Sequence, residues 1–403
     1  MLYSRYRIAS GLRFYFRCLI SILTLEFLHK RRIKDLEAEL REFTGEQNLI
    51  ASPQARVGLY DYLKEVIEPG DEVLTSSYTL IDMVNMIICA GGKPVFVDTA
   101  AQHYHICLED LKNKITPKTK VLVLAHLYGT CASIEEIVQI CKDKNVLVFE
   151  DCAQAVGVSH NGKMAGTFGD AGVYSFGALK NVNGIFGGAL LVKDTKVLRA
   201  IEEKVKDRPL FSAKKLFGKL LFCLSYDVFT HPWFYTPLVF QVIDLLDKNG
   251  HVDKDAVKRT EIPKSYVCQM NSMQASLIIK GLKDWKHQAE ASGTIAQAYT
   301  DAIANKDDSI LIPPLPPASY QTYLQFPVWV KDSNVLFKKH LREHKVDINI
   351  DFFRDVSNLE CFSEYQQDCP NTRQLLEHLA LLPTYPRQDQ DYTQRVSKGL
   401  DDF

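Results

Sequence analysis

The 403-residue chain lacks most of the features that assign a protein to a class by inspection. It has no GxGxxG, GxxxxGK[ST] or HExxH motif, which leaves dinucleotide, P-loop and zinc-protease chemistry without support. Its 48 basic and 49 acidic residues give a net charge of −1, so the whole chain has no field for nucleic acid. Its ten cysteines form no CxxC pair, which favours a reducing cytoplasm. No apolar run reaches the ~20 residues that span a bilayer, and no cleavage site follows the first run, so we expect no cleaved signal peptide.

Basic charge is concentrated in two segments of the chain. Residues 1 to 34 hold eight basic residues and one acid, Glu26, around an apolar run at residues 18 to 25. Residues 204 to 219 hold six basic residues and lead into a stretch rich in Leu, Phe, Tyr and Trp. Interfacial helices that bind anionic lipids combine these features, so the sequence predicts attachment to the inner face of a membrane. The alternative is that the two segments bury their apolar faces against each other or across a dimer.

The rest of the chain predicts an α/β fold. Short apolar runs, typical of strands buried on both faces of a parallel sheet, occupy residues 95–97, 121–125 and 146–149, and two closely spaced runs follow at 172–176 and 188–192. Helical periodicity predicts helices at 35–43, 58–66, 272–282 and 335–343 and at the C-terminus, with a strand at 324–330. Ser133 and Glu136 form a candidate capping box for one more helix.

These elements predict four parts of the chain. They are a basic, apolar N-terminal segment (1–34), a large domain (35–205), a basic, aromatic insertion (206–258) and a small α+β C-terminal domain (259–403).

Side chains able to do chemistry follow several of the predicted strands. They are His126, Asp151, Ser175 and Lys180. Open α/β sheets bind ligands at the carboxyl ends of their strands, although each residue taken singly has an ordinary structural explanation. Pyridoxal phosphate requires an amine that forms an imine, a carboxylate that keeps a pyridine nitrogen protonated, and donors for a phosphate. Together, the four side chains therefore suggest this cofactor.

The order and spacing of these residues resemble the DegT/StrS-type nucleotide-sugar aminotransferases, which have the aspartate-aminotransferase fold. The resemblance rests on residues 70–73, 93–98, 115–120, 126–129, 150–157, 174–181, 187–189, 270–275 and 381–386. It implies a three-layer large domain with a mostly parallel sheet, a smaller C-terminal domain and a homodimer. It also implies ping-pong transfer of an amino group from an amino acid, glutamate by resemblance, to a keto-sugar nucleotide.

The resemblance also implies roles for individual residues. Lys180 matches the Schiff-base lysine, and Asp151 matches the partner of the pyridine nitrogen. Gln154 matches the neighbour of the ring hydroxyl, and Ser175 matches a phosphate ligand. His126 either positions a residue that contacts the cofactor or has a purely structural role.

Three positions depart from the family pattern. Ala55 and Arg56 lie where a hydroxyl-bearing phosphate loop is usual, so Arg56 would supply charge instead. Leu80 replaces a residue that is often aromatic, and it can cover the ring by area only. Val267 lies where a neighbouring subunit usually contributes an asparagine to the phosphate. Two alternatives therefore stay open: a membrane-associated protein with altered or lost turnover, and a different pyridoxal reaction on a sugar nucleotide.

No metal site is predicted. His103 and His105 would share one face of a strand, but no further ligand follows at metal spacing, so a solvated loop is the better interpretation. His251, Asp253 and Asp255 lack the glycine and the distal glutamate of a calcium loop.

Overall fold

The computed structural model describes residues 2–8, 11–242, 245, 256–304 and 308–403. The helices among them are α1 (Leu12–Leu23), α2 (Ile33–Thr44), α3 (Ala55–Val66), α4 (Ile81–Ala90), α5 (Leu108–Lys114), α6 (Ile134–Asp143), α7 (Thr195–Val205), α8 (Ala213–Phe229), α9 (Ser272–Ile303), α10 (Asn334–Glu343), α11 (Pro370–His378) and α12 (Gln390–Asp402). The strands are β1 (Leu49–Ser52), β2 (Glu72–Ser76), β3 (Tyr78–Thr79), β4 (Lys93–Val97), β5 (Thr119–Ala125), β6 (Leu147–Cys152), β7 (Ser159–His160), β8 (Lys163–Met164), β9 (Ala171–Ser175), β10 (Gly188–Val192), β11 (Ile310–Leu311), β12 (Ser319–Tyr320), β13 (Phe326–Val330), β14 (Arg354–Asp355) and β15 (Leu379–Leu382).

A seven-stranded sheet forms the centre of the large domain. Its strand order is β1-β10-β9-β6-β5-β2-β4. The five strands from β9 to β4 are parallel, and β10 and β1 add an antiparallel edge. The apolar runs predicted at 95–97, 121–125, 146–149, 172–176 and 188–192 are all strands of this sheet, which confirms them.

Helices cover both faces of the sheet. Leu122 and Leu124 of β5 pack with α2, α6 and the start of α9, whereas Val121 and Val123 pack with α3, α4 and α7. Successive side chains of a strand point to opposite faces, so a strand buried on both faces must be apolar at every position. The three-layer α/β fold is thereby confirmed.

A smaller sheet, β11-β13-β15, is antiparallel and packs against the second half of α9 together with α10 and α12. The N-terminal segment joins this part of the chain, because Tyr3 forms a parallel bridge with Val346. The domain boundaries drawn from the sequence stay predictions.

Two local predictions were wrong. The helix expected at 272–282 continues to Ile303, because its later apolar residues, among them Ile295 and Tyr299, pack on the small sheet. Ser133 does precede α6, but its side chain makes no capping hydrogen bond. Among the described residues, Asn271 and Gln274 form a capping box at the start of α9.

His103 and His105 lie in the turn between β4 and α5, which confirms the predicted loop, although His105 is buried rather than solvated. Their ring centres are 5.0 Å apart. His251, Asp253 and Asp255 lie outside the described residues. Within the described ranges, no helix is both long enough and apolar enough to cross a membrane.

Candidate active site

The ends of three adjacent parallel strands bring the predicted residues to one edge of the sheet. Ala125, the last residue of β5, pairs with Asp151 of β6, which in turn pairs with Val173 of β9. His126 follows β5 directly, and Ser175 is the last residue of β9. Lys180 lies in the loop between β9 and β10. This edge is where open α/β sheets bind ligands.

Lys180 is half-buried in a cavity at this edge. Burial lowers the pKa of Lys180 to about 8, because the ammonium loses part of its water shell. The Arg56 cation lowers this pKa further, and the Asp151 carboxylate opposes the shift. A fraction of the amine is therefore neutral, and nucleophilic, near neutral pH.

Asp151 is buried, and its carboxylate attracts the Lys180 ammonium. Its Oδ1 accepts a hydrogen bond from the Ala153 N–H at 2.9 Å. Burial raises the pKa of Asp151, although the Ala153 N–H, Lys180, His126 and Arg56 all work against the shift. A buried carboxylate with a raised pKa gains from any cation placed against it, such as a protonated ring nitrogen.

His126 lies behind Asp151 rather than in the cavity. Its Nε2 is 3.0 Å from Glu150 Oε2, and its Nδ1 accepts a hydrogen bond from the Ala132 N–H at 3.2 Å. Glu150 also accepts hydrogen bonds from the N–H groups of Gly166 and Gly169. Although burial acts in the other direction, His126 and these two N–H groups keep the pKa of Glu150 below its usual value. His126, Glu150 and Cys152 lie close enough together to bind a metal ion. Both imidazole nitrogens of His126, however, already make hydrogen bonds.

The first residues of α3 lie directly on the sheet beside Ser175. Ser52 pairs with Gly188 and Gly188 pairs with Ser175, so three strands meet in register here. A Cβ on Gly188 would come within 2.8 Å of the Ala55 nitrogen and of the Tyr174 carbonyl oxygen. Only glycine allows this close approach of the helix N-terminus to the strand position that pairs with Ser175. Helix N-termini attract anions, so this end of the cavity suits a phosphate.

Arg56 adds positive charge at the same helix end. Its guanidinium forms an ion pair with Asp82, which also accepts a hydrogen bond from Arg259 at 2.6 Å. Two guanidinium groups share one carboxylate, so one positive charge is uncompensated within the group. Arg56 also lies 5.5 Å from the centre of the Tyr266 ring. Val267, the next residue, lines an open groove with Tyr60 and Cys89.

Two further residues with predicted roles are Gln154, which follows β6, and Leu80, which follows β3. Gln154 Oε1 accepts a hydrogen bond from the Tyr128 N–H at 2.8 Å, and the Tyr128 hydroxyl is 2.6 Å from the Tyr78 hydroxyl. Leu80 follows β3 and is an exposed large apolar side chain. Its predicted packing on a cofactor ring stays a prediction.

The structure adds residues that were not predicted from the sequence. The cavity that contains Lys180 is also lined by Arg5, Tyr6 and Arg7 of the N-terminal segment and by Thr384. The Asn349 side-chain amide donates a hydrogen bond to the Tyr6 hydroxyl at 3.0 Å. Residues 381–386 could be found from the sequence, because they match the family pattern. The N-terminal segment could not, because its basic charge does not indicate a place in the cavity.

The residues of the cavity match the groups of pyridoxal phosphate. An amine with a lowered pKa lines the cavity, a buried carboxylate interacts with it electrostatically, and a serine pairs with Gly188, which holds a helix N-terminus close. The Gln54 Oε1 atom at that helix start is buried and makes no protein hydrogen bond. The donor set therefore fits a ring with a carbonyl, a basic nitrogen and a phosphate.

Comparison with known proteins gives a consistent result. Residues 26–401 match the DegT/DnrJ/EryC1/StrS aminotransferase family. The chain is 40% identical over 128 residues to a GDP-perosamine synthase from Escherichia coli O157:H7, covering 32% of this chain and 35% of that protein. It is 34% identical over 158 residues to a UDP-N-acetyl-3-dehydro-alpha-D-glucosamine 3-aminotransferase from Acidithiobacillus ferrooxidans, covering 39% of this chain and 43% of that protein. The matching stretches thus span less than half of either relative. A crystallised aminotransferase from Psychrobacter cryohalolentis has the same fold, with a TM-score of 0.80 at 20% identity over 99% of this chain and 98% of its own.

Proposed function

Since the chain belongs to the DegT/DnrJ/EryC1/StrS aminotransferase family, we propose that it uses pyridoxal phosphate to move an amino group from an amino acid to a keto-sugar nucleotide. The observation that carries the proposal is the electrostatic interaction between Lys180, which lines a cavity, and the buried Asp151 carboxylate at the end of β6. Glutamate is the proposed donor, and the two half-reactions follow each other as ping-pong steps.

The side chains divide the work by their chemistry. Pyridoxal phosphate, when bound, supplies a carbonyl carbon that exchanges amines and a ring that accepts electrons. Lys180 would hold that carbon covalently and, once displaced, move a proton at its Nζ to and from the substrate carbon. Asp151 would keep a proton on the ring nitrogen.

The remaining residues would hold and orient the group. The Ser175 hydroxyl, the backbone at Ala55 and the Arg56 side chain would bind the phosphate. Gln154 would lie near the ring hydroxyl and Leu80 against the ring. The positive charge shared by Arg56, Arg259 and Asp82 is consistent with an anion at this end, and it offers a substitute for the hydroxyl missing at Ala55.

An assay with purified protein, pyridoxal phosphate and ¹⁵N-glutamate tests this function. GDP-linked and UDP-linked keto sugars are the first acceptors to try, because the relatives are named for GDP and UDP substrates. We expect one acceptor to gain the mass of a ¹⁵N amine while glutamate is converted to 2-oxoglutarate. Cofactor binding without transfer to any acceptor would favour a protein with lost turnover. Loss of a different group from the sugar would favour another pyridoxal reaction.

The lowered pKa of Lys180 predicts how capture of the cofactor depends on pH. Below pH 8 the amine is mostly protonated, so the capture rate should rise with pH and level off above about 8. An ordinary lysine would continue to gain reactivity up to about 10.4. Stopped-flow absorbance with cofactor-free protein measures the midpoint.

Two variants should move that midpoint in opposite directions. Arg56→Ala removes a repelling cation and should raise it, whereas Asp151→Asn removes an attracting anion and should lower it. A midpoint that neither variant changes would contradict the proposed arrangement.

A homodimer in the cytoplasm is also part of the proposal. Family membership supports the dimer, but the apolar start of α9 does not, because Met273, Leu277 and Ile278 are buried within their own chain. All ten cysteines are free, as expected in a reducing compartment.

A further inference from the structure

The two basic, apolar segments of the chain form one structural unit. The Tyr15 hydroxyl of α1 donates a hydrogen bond to the Cys223 carbonyl of α8 at 3.1 Å. Cys18 and Cys223 are both buried in the cluster that joins these helices. Phe27, in the short turn Glu26–Leu28 after α1, contacts Phe217 of α8 edge-on at 5.1 Å. The inner faces of the two helices are therefore already covered.

The outer faces of the same helices are apolar and exposed. On α1, Leu12, Phe16 and Leu23 are 86%, 64% and 73% exposed, and they lie on the side away from Cys18. Beyond α8, Trp233 is 70% exposed. The exposed apolar residues of α8 are Leu221, Phe222, Leu224, Val228 and Phe229. Single exposed apolar residues need no explanation, but this many on two helices that pack together mark an interaction surface.

Positive charge is concentrated in the segments that carry this apolar surface. Residues 11–34 and 206–229 contain eleven Lys and Arg against three Asp and Glu, so their field attracts anions. A groove beside Leu28 is lined by Lys30, Arg31, Lys34, Lys206 and Arg208. The groove adjoins α8, because Arg208 of the groove and Lys215 of α8 are both close enough to lower the pKa of the Cys268 thiol, which burial raises.

We propose that the outer face of α1 and α8 binds the surface of an anionic phospholipid bilayer. Leu, Phe and Trp side chains would enter the acyl boundary, while the basic groove and Lys214, Lys215 and Lys219 would meet the headgroups. A second copy of the chain is a poorer occupant. A twofold interface places the same patch on both partners, so basic residues would face basic residues.

The docking surface is connected to the Lys180 cavity. Asp227 of α8 accepts a hydrogen bond from Arg387 at 2.9 Å and lies 3.6 Å from Arg7. Arg7 lines the cavity that contains Lys180. Docking through α8 would therefore hold the mouth of the cavity near the membrane. The docking proposal does not depend on the reaction that the cavity catalyses.

Flotation of the full chain with vesicles tests the proposal. We expect the protein to float with phosphatidylcholine vesicles that contain phosphatidylglycerol at low salt, and to remain at the bottom at high salt or with phosphatidylcholine alone. The triple variant Lys214→Glu/Lys215→Glu/Lys219→Glu should partition at least about a hundredfold more weakly. Lys118→Glu/Lys142→Glu/Lys144→Glu, which changes three exposed lysines elsewhere, is the matched control.

The apolar contribution needs its own pair of variants. Leu12→Ser/Phe16→Ser/Leu23→Ser should abolish flotation, whereas Val335→Ser/Leu336→Ser on α10, at residues 61% and 58% exposed, should not. Vesicles should also shift the tryptophan emission to the blue, and Trp233→Phe should remove that shift.

Two results would overturn the proposal. One is failure to float with anionic vesicles at low salt, and the other is equal flotation of the surface variants and their controls. Sedimentation equilibrium of the same variants separates the alternatives. Self-association lost in the α1 variant, without flotation of the parent, would assign this face to a second copy.

Discussion

Replacing Lys180 by alanine is expected to lower kcat by at least about 10⁴-fold, because one side chain has two tasks. Its amine would hold the cofactor and then move the proton at the substrate carbon. Both tasks need a neutral amine at working pH, and burial, which lowers the pKa to about 8, keeps a fraction of the amine neutral near neutral pH. The change should be measured with ¹⁵N-glutamate and the best acceptor found for the parent protein.

Reduction with borohydride gives an independent measurement of the same residue. In the parent protein it should leave the cofactor attached to the peptide that contains Lys180, and in Lys180→Ala no peptide should be labelled. Lys193 provides a control: it is exposed at the opposite end of β10, and its Nζ donates a hydrogen bond to the Phe168 carbonyl at 2.9 Å. Lys193→Ala should keep both the label on Lys180 and the turnover.

A small amine added to Lys180→Ala distinguishes lost chemistry from a damaged fold. The space left by the lysine side chain lies in the cavity, so ethylamine should restore part of the proton transfer in the variant and none in a misfolded protein. Turnover of the unassisted variant within about tenfold of the parent would show that another group carries the proton.

Much of the fold could be predicted because its strands are buried on both faces. Residues 121–125 are apolar at nearly every position, and the structure uses alternate residues for two different cores. The same logic located Asp151 and Ser175, since they come directly where apolar runs end. The full length of α9 could not be predicted, because the charged residues Lys283, Asp284 and Lys286 interrupt its apolar pattern at the boundary between two cores.

Contacts between distant parts of the chain were outside the reach of sequence patterns. Arg5 donates a hydrogen bond to Asp347 at 2.7 Å, across 342 positions, and this contact helps to hold the N-terminal segment against the Lys180 cavity. The Arg56–Asp82 ion pair is likewise set by how α3 and α4 pack. The sequence predicts two arrangements for the basic, apolar segments: mutual packing concerns the inner faces of the helices, and membrane attachment concerns their outer faces. Their inner faces pack together, and the occupant of their outer faces is a proposal.

Replacing Asp151 by asparagine should lower turnover by about 10²–10³-fold while the protein still folds and captures the cofactor. The amide has nearly the volume of the carboxyl group, and its oxygen can keep the 2.9 Å hydrogen bond from the Ala153 N–H. It cannot keep a proton on a ring nitrogen, because it carries no negative charge. In the parent, the acid limb of the kcat/KM profile should report protonation of Asp151, and this limb should disappear in Asp151→Asn.

The Asp151→Asn substitution should maintain or raise the stability of the fold, although it lowers turnover. Because burial raises the pKa of Asp151 in the folded chain, the ionised carboxylate costs folding free energy at neutral pH. This cost is absent below the unfolded-state pKa and appears as the pH rises through the folded-state value. Cofactor-free Asp151→Asn should therefore unfold at the same Tm as the parent or a higher one at neutral pH.

Asp170→Asn is the matched control for Asp151→Asn. Asp170 Oδ2 accepts one backbone hydrogen bond, from the Val148 N–H at 2.8 Å, at the opposite end of the sheet. It should keep full turnover, because its charge does not face the cavity. A Tm that falls in Asp151→Asn, or turnover that falls equally in both variants, would show that the buried carboxylate serves the fold. Turnover lost only in Asp151→Asn, with Tm maintained, would show that the chain accepts an unfavourable buried charge because the reaction uses it.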